Sequence, residues 1–199
     1  MTLKEMKIKT FSLIEEYYPN LKNLAEDEDV LNKINGVVNQ IQLDLMKYRK
    51  IPAYIEISIN ANDEKTINLT DYIDDLYQVN KIKLNNYEMI DDNMLILPDD
   101  YEGTFMVYYY KYPKLVKTIF EGTAEQQVEL KEKEDEDYKF ELDLVLLEIM
   151  PYGIASDLLK MDMISSYGKY FYERYLEMKN NIDTRRTSGM ISIVGGVDI

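Results

Sequence analysis

The side chains that could carry chemistry in this chain are carboxylates and phenols. There are 37 Asp and Glu residues and 18 tyrosines, with no histidine and no cysteine. Without histidine the usual general base and the commonest neutral metal ligand are missing. Without cysteine there is no disulfide framework and no thiolate metal site. What remains is carboxylate chemistry. The paired acids Asp91-Asp92 and Asp99-Asp100 each fall in a short polar stretch between strand-like runs. Asp is common in turns because it bonds nearby backbone, so both pairs read as turns. The run Glu132–Asp137 (EKEDED) reads as a solvated acidic loop. No glycine-rich phosphate loop, HExxH or serine elbow occurs. The expectation is a protein that is not an enzyme and holds no cofactor or metal.

The other distinctive residues lie at the C-terminus. Arg185 and Arg186, two of only four arginines, precede Met190–Val194 (MISIV), Gly195-Gly196 and a final apolar Ile199. An apolar, strand-prone terminus beyond the last helix would fray unless something captured it. Strand addition to another subunit is the natural capture, which makes Arg185, Arg186, Met190, Ile191, Ile193, Val194 and Ile199 candidate partner contacts.

These residues need a body to present them. Phe140–Asn181 has apolar residues at helical spacing: Leu144, Leu147, Ile154, Leu158, Met161, Tyr167, Tyr170, Phe171, Tyr175 and Met178. Pro151 cannot donate to the helical ladder, so the spacing predicts helices over 142–150, 152–160 and 164–180, with a break or kink at the proline. At the other end, Leu3, Met6, Phe11, Ile14, Tyr17 and Tyr18 predict a helix ending near Pro19. Val30, Ile34, Val37, Ile41, Leu45 and Tyr48 predict a second one. The acids at 26–29 suit its start, and Arg49 and Lys50 its C-terminal dipole. Gly36, costly in a helix, marks a candidate close helix contact.

Between the two helical ends the period changes. Residues 54–59, 65–69, 78–84, 88–90, 94–97 and 104–111 are short, β-rich runs with turns between them, and one helical turn capped by Thr70 is predicted at 71–76. This predicts an α+β fold. A helical bundle forms from 1–50 and 138–182, with Ile34, Val37, Ile41, Leu45, Leu147, Ile154, Leu158, Phe171 and Tyr175 as its core. Inserted in it are a small antiparallel sandwich or open barrel at 51–113 and an acidic loop at 114–137. A docking tail at 183–199 follows.

Composition bounds the partners. Hydrophobic content of 46% and charged content of 30% fit a single soluble domain. No apolar run approaches the ~20 residues of a membrane span, and MTLKEMKIKTF lacks the apolar centre of a secretory signal. A net charge of −14 repels phosphate backbones, which disfavours nucleic-acid binding but suits a surface that DNA slides past. The clustered tyrosines at 108–112 and 167–175 lie among acids rather than in a basic groove. They read as core and interface rather than base-stacking platforms.

In order along the chain, these features resemble the head–tail connector, or adaptor, proteins of tailed bacteriophages. VYYYKYPKLV (107–116) is similar to the family's aromatic Tyr-x-x-x-Pro strand end. FELDLVLLEIMPYGIASDLLKMD (140–162) resembles its acidic helix start, proline, small-residue turn at 153–155 and Leu-Leu-x-x-Asp end. YGKYFYERYLEMKNN (167–181) resembles its aromatic, charged helix, and GGVDI (195–199) its ending. The inserted β module departs from short family members and is closer to the longer adaptors of short-tailed phages. The resemblance implies a virion protein at the head–tail interface, found in host cytoplasm during assembly. It implies a ring, dodecameric in the family, docked beneath the portal protein and contacting the next tail or stopper protein. DNA would pass through the channel without specific binding. Two other readings stay open. One is an acidic DNA-mimic module that inhibits a host nucleic-acid enzyme. The other is a carboxylate-metal enzyme, stabilised by magnesium or manganese.

Overall fold

The computed structural model describes residues 1–21, 23–161 and 165–182. Helix α1 (Leu3–Tyr17) opens with a capping box, in which Thr2 and Glu5 satisfy each other's backbone N–H groups. Helix α2 (Glu28–Leu45) is capped by Asp27, whose side chain accepts from the N–H groups of Asp29 and Val30. Glu28 and Asp29 follow in its first turn, as expected for acids at the positive end of the dipole. The helix stops at Leu45, so Arg49 and Lys50 do not serve that dipole. Arg49 instead pairs with Asp143 at 2.7 Å, and Lys50 donates to Gln78 at 2.5 Å.

The β module is two three-stranded antiparallel sheets over one core. β1 (Ile51–Ile59), β6 (Gly103–Lys111) and β3 (Leu76–Lys83) form one sheet in the order β1-β6-β3. β2 (Thr66–Asn68), β5 (Met94–Ile96) and β4 (Glu88–Met89) form the other, in the order β2-β5-β4. β1 runs against β6 in unbroken register from Ile51–Lys111 to Ile59–Gly103. Ile57, Phe105, Val107, Ile82, Ile67 and Leu95 fill the shared interior. Their alternation with exposed residues is what made the strands legible. The turn at Asn85-Asn86 has Asn86 in the left-handed region, φ 61°, which Asn tolerates. The predicted helical turn is a 3₁₀ turn, Leu69–Asp71, and its cap is Asn68 rather than Thr70.

Residues 114–137 correct the expectation of a loop. Thr123 and Gln126 form a second capping box, and α3 (Ala124–Asp137) follows it. Ala, Glu, Gln and Lys are strong helix formers, but α3 has no buried residue and so leaves no apolar period to detect. It is held by polar contacts: Lys7–Asp135 at 2.7 Å, Lys4–Glu136 at 3.0 Å, and Lys131 to Asn32 at 2.9 Å.

Helix α4 (Leu144–Met161) runs through Pro151 without a break. An interior proline costs about 3 kcal/mol. On either side of it Leu146, Leu147, Ile149, Met150, Ile154, Leu158 and Leu159 are all buried. Each such burial is worth about 1.5–3 kcal/mol, so packing outweighs the lost bond. Residues 153–155 are therefore helix interior rather than a turn. Leu144 is 76% exposed and does not belong to the buried stripe. α4 lies against α1, α2 and α5 (Ser165–Asn180), so the two ends of the sequence close one bundle around it. Its core contains Ile34, Val37, Ile41, Leu45, Leu147, Ile154, Leu158 and Tyr175, while Phe171 sits in an adjoining cluster with Ile14, Ala155 and Leu159. Backbone bonds stitch the same union: Leu3 N–H donates to Tyr138 O, and Phe140 N–H to Met1 O.

The glycine assigned to a close contact is a different one. Gly36 is exposed, and a Cβ there would meet nothing within 4 Å. At Gly153 a Cβ would lie 2.9 Å from Tyr175 Cε2 and 3.0 Å from Ile41 Cγ2. That is where α2, α4 and α5 converge, and only a glycine fits.

Candidate functional site

All seven candidate contacts, Arg185, Arg186, Met190, Ile191, Ile193, Val194 and Ile199, lie outside the described residues. What the structure describes is the root from which that segment leaves. Ile182 is buried and packs into the main bundle core. One turn earlier, Asp44 of α2 accepts from Lys179 Nζ at 2.5 Å and from the Tyr175 hydroxyl at 2.7 Å. Lys179 lies 4.8 Å from the Tyr175 ring centre and 5.4 Å from that of Tyr48. Burial works to raise the Asp44 pKa, but the bonds from Lys179 and Tyr175 outweigh it and hold the carboxyl below its ordinary range. Burial and the neighbouring carboxylate push the Tyr175 phenol far above its usual value, so it stays a donor. The end of α5 is thus bolted to α2 by an ion pair, a hydrogen bond and two rings.

Beside this root, α2, α4 and α5 line a cleft of about 470 Å³. Its charged side chains are already matched: Lys179 and Lys47 with Asp44, and Lys160 with Asp157 at 3.0 Å. Of these pairs Lys179–Asp44 joins α5 to α2, while Lys47–Asp44 and Lys160–Asp157 each lie within one stretch of chain at i,i+3. Among the described residues, no group of three or more Asp or Glu side chains is arranged to hold a metal ion. Asp91 and Asp92 sit in the bend between β4 and β5, and Asp99 and Asp100 in the turn before β6, away from the bundle.

Sequence reasoning missed a second feature, a strap. After β6 the chain leaves the module, and residues 114–117 are held along α2. Asn39 grips Val116 from both sides, its Nδ2 donating to the carbonyl and its Oδ1 accepting the N–H, each at 2.8 Å. Asn35 Nδ2 donates to Lys117 O at 2.8 Å and Gln42 Nε2 to Lys114 O at 3.3 Å. The Tyr138 hydroxyl reaches both Gln42 and the Lys114 carbonyl, and burial pushes its pKa up to about 12. The signal was present in α2: amides at 35, 39 and 42 repeat with helical spacing beside the apolar stripe. α3 then presents Glu125, Glu129 and Glu132 outward, one acidic stripe at helical period that ends at Glu136, the partner of Lys4.

The described helices include none long and apolar enough to cross a membrane. No protein-family model matches the chain, and no curated protein does.

Proposed function

We propose that the chain is a structural adaptor of a tailed-phage particle, a ring subunit that docks beneath the portal and joins capsid to tail. The observation that carries this reading is the closed bundle. Helices from opposite ends of the sequence pack around α4, and the bolted end of α5 delivers the strand-prone segment 183–199 at a fixed point of a rigid body. An arm on such a root can be captured by another molecule without disturbing the fold that carries it. Arg185, Arg186, Met190, Ile191, Ile193, Val194 and Ile199 are its contacts with portal. The acidic surface lowers DNA affinity, so a genome can pass through the ring channel. Subunits in such a ring meet by heterologous contacts that close on themselves.

The test is deletion of Thr187–Ile199. Expected is an unchanged melting temperature with loss of co-sedimentation on the portal protein of the same virus. A truncated chain that co-sediments like the full one refutes the arm's role.

One observation favours a second reading, an inhibitor that imitates DNA. The acidic stripe on α3 repeats charge along one line, as a phosphate backbone does. That reading predicts tight, salt-sensitive binding to a basic nucleic-acid enzyme. It also predicts that Glu129→Lys with Glu132→Lys abolishes this binding while leaving portal docking intact.

A further inference from the structure

The sheet β1-β6-β3 lays one face on the module's core, with Ile57, Phe105, Val107 and Ile82 buried there. The cross-strand registers put Tyr54, Tyr108 and Lys81 in one row of the opposite face, and Glu56, Met106 and Lys83 in the next. Tyr110 lies two residues beyond Tyr108 on the same side. Lys83 Nζ is 5.0 Å from the Tyr108 ring centre, and Lys50 Nζ, from the residue before β1, is 5.1 Å from that of Tyr110. Tyr54 is 69% exposed, and Lys81 and Lys83 are exposed on the same face. Three lysines therefore gather against one acid, Glu56, on a chain whose net charge is −14. Among the described residues Lys50, Lys81 and Lys83 form no ion pair.

Rings among lysines can serve bases or carboxylates, and here the geometry favours carboxylates. An ammonium held over a ring occupies the face on which a base would stack. Each ammonium still has donors that its ring does not use, and an acidic side chain can accept them. The chain itself carries such acids in a matching array. α3 has 14 residues and buries none of them. Glu125, Val128, Glu129 and Glu132 repeat along its outward side at i, i+3, i+4 and i+7, with Val128 54% exposed in their midst. In length the two faces agree: α3 spans about 21 Å, and β6 from Thr104 to Tyr110 about 20 Å. Within one copy α3 is pinned to α1 by Lys7–Asp135 and to α2 by Lys131 and Asn32, so its stripe is left for another molecule.

We propose that the lysine–tyrosine face of the sheet receives α3 of a second copy of the chain. Lys50, Lys81 and Lys83 meet Glu125, Glu129 and Glu132, and Val128 packs between the rings of Tyr54 and Tyr108. The two faces differ, so each copy gives one and takes one, which is a heterologous contact. The inference deepens the adaptor reading, on which it rests for the closing of such contacts into a ring, by naming the faces through which copies meet.

Charge reversal tests both faces at once. Lys81→Glu with Lys83→Glu makes the two faces acidic, and Glu129→Lys with Glu132→Lys makes the two basic. Sedimentation velocity of the full-length chain, at low ionic strength and sub-millimolar concentration, should show the parent associating and each variant alone roughly tenfold weaker. Mixed in equal amounts, the two variants should associate as the parent does, because each face then meets its opposite. An unchanged melting temperature reports that each variant is folded. A parent that stays monomeric, a variant that associates as the parent does, or a mixture that fails to recover overturns the proposal. So does an oligothymidylate that binds through Lys81 and Lys83 to a parent that does not associate, which would give the face to single strands. No portal is present in these samples, so their failure is separate from a failure of the portal co-sedimentation that tests the adaptor reading.

Discussion

Two glycines in the helical bundle should respond in opposite directions to the same substitution. Gly→Ala in a helix interior gains about 1 kcal/mol from propensity alone. At Gly36 nothing lies within 4 Å of the new methyl, so Gly36→Ala should keep that gain. At Gly153 the methyl would meet Tyr175 Cε2 at 2.9 Å, Ile41 Cγ2 at 3.0 Å and Ile41 Cδ1 at 3.1 Å. Tyr175 cannot swing away without losing its 2.7 Å bond to Asp44, and Ile41 is 4% exposed, held in the bundle core. Overpacking of this kind costs about 1–3 kcal/mol. Set against the propensity gain, Gly153→Ala should come out destabilising by up to about 2 kcal/mol, a fall of several degrees in Tm for a chain of this size. Urea melts followed by far-UV circular dichroism at constant m read both signs. A Gly153→Ala chain as stable as Gly36→Ala would mean that α2, α4 and α5 do not converge there, and the clasp between the two ends of the sequence would lose its tightest point.

Three further outcomes follow from the same contacts. Asn39→Ala removes both bonds to buried Val116, and at about 1 kcal/mol each the loss should be near 2 kcal/mol, with faster hydrogen exchange at the Val116 amide. The carboxyls of Asp44 and Glu141 are each subject to a burial effect that raises them and to lysine bonds that win and lower them. A lowered folded pKa adds stability that is full above the unfolded value, about 4, and fades as pH falls through the folded one. Asp44→Asn and Glu141→Gln should therefore flatten the acid limb of stability below about pH 4, measured by denaturant midpoints across pH. An acid limb as steep in both variants as in the parent would contradict the assignment.

Much of this fold was legible because burial writes a period into the sequence. β1 and β6 alternate, α2 steps by three and four, and the bundle-core residues chosen on that basis are buried. What stayed hidden is held by polar groups. α3 buries nothing and rests on Lys4, Lys7 and Lys131, so no apolar spacing announced it. The strap is fixed by side-chain amides, whose partners are backbone atoms that carry no sequence signature. Pro151 and Gly36 were read by local rules, and tertiary packing overrode both: a buried helix tolerates its proline, and the crowded glycine is Gly153. The arm, residues 183–199, lies beyond Ile182 and outside the described residues, so its expectation rests on the sequence.

The most direct test of the proposed adaptor function is an image of the full-length chain mixed with the portal protein encoded alongside it. The account predicts a closed ring of this chain seated beneath the portal, with density for residues 183–199 reaching onto it and an open channel on the axis. Portal particles that remain bare, or that carry isolated copies in no ring, would contradict it.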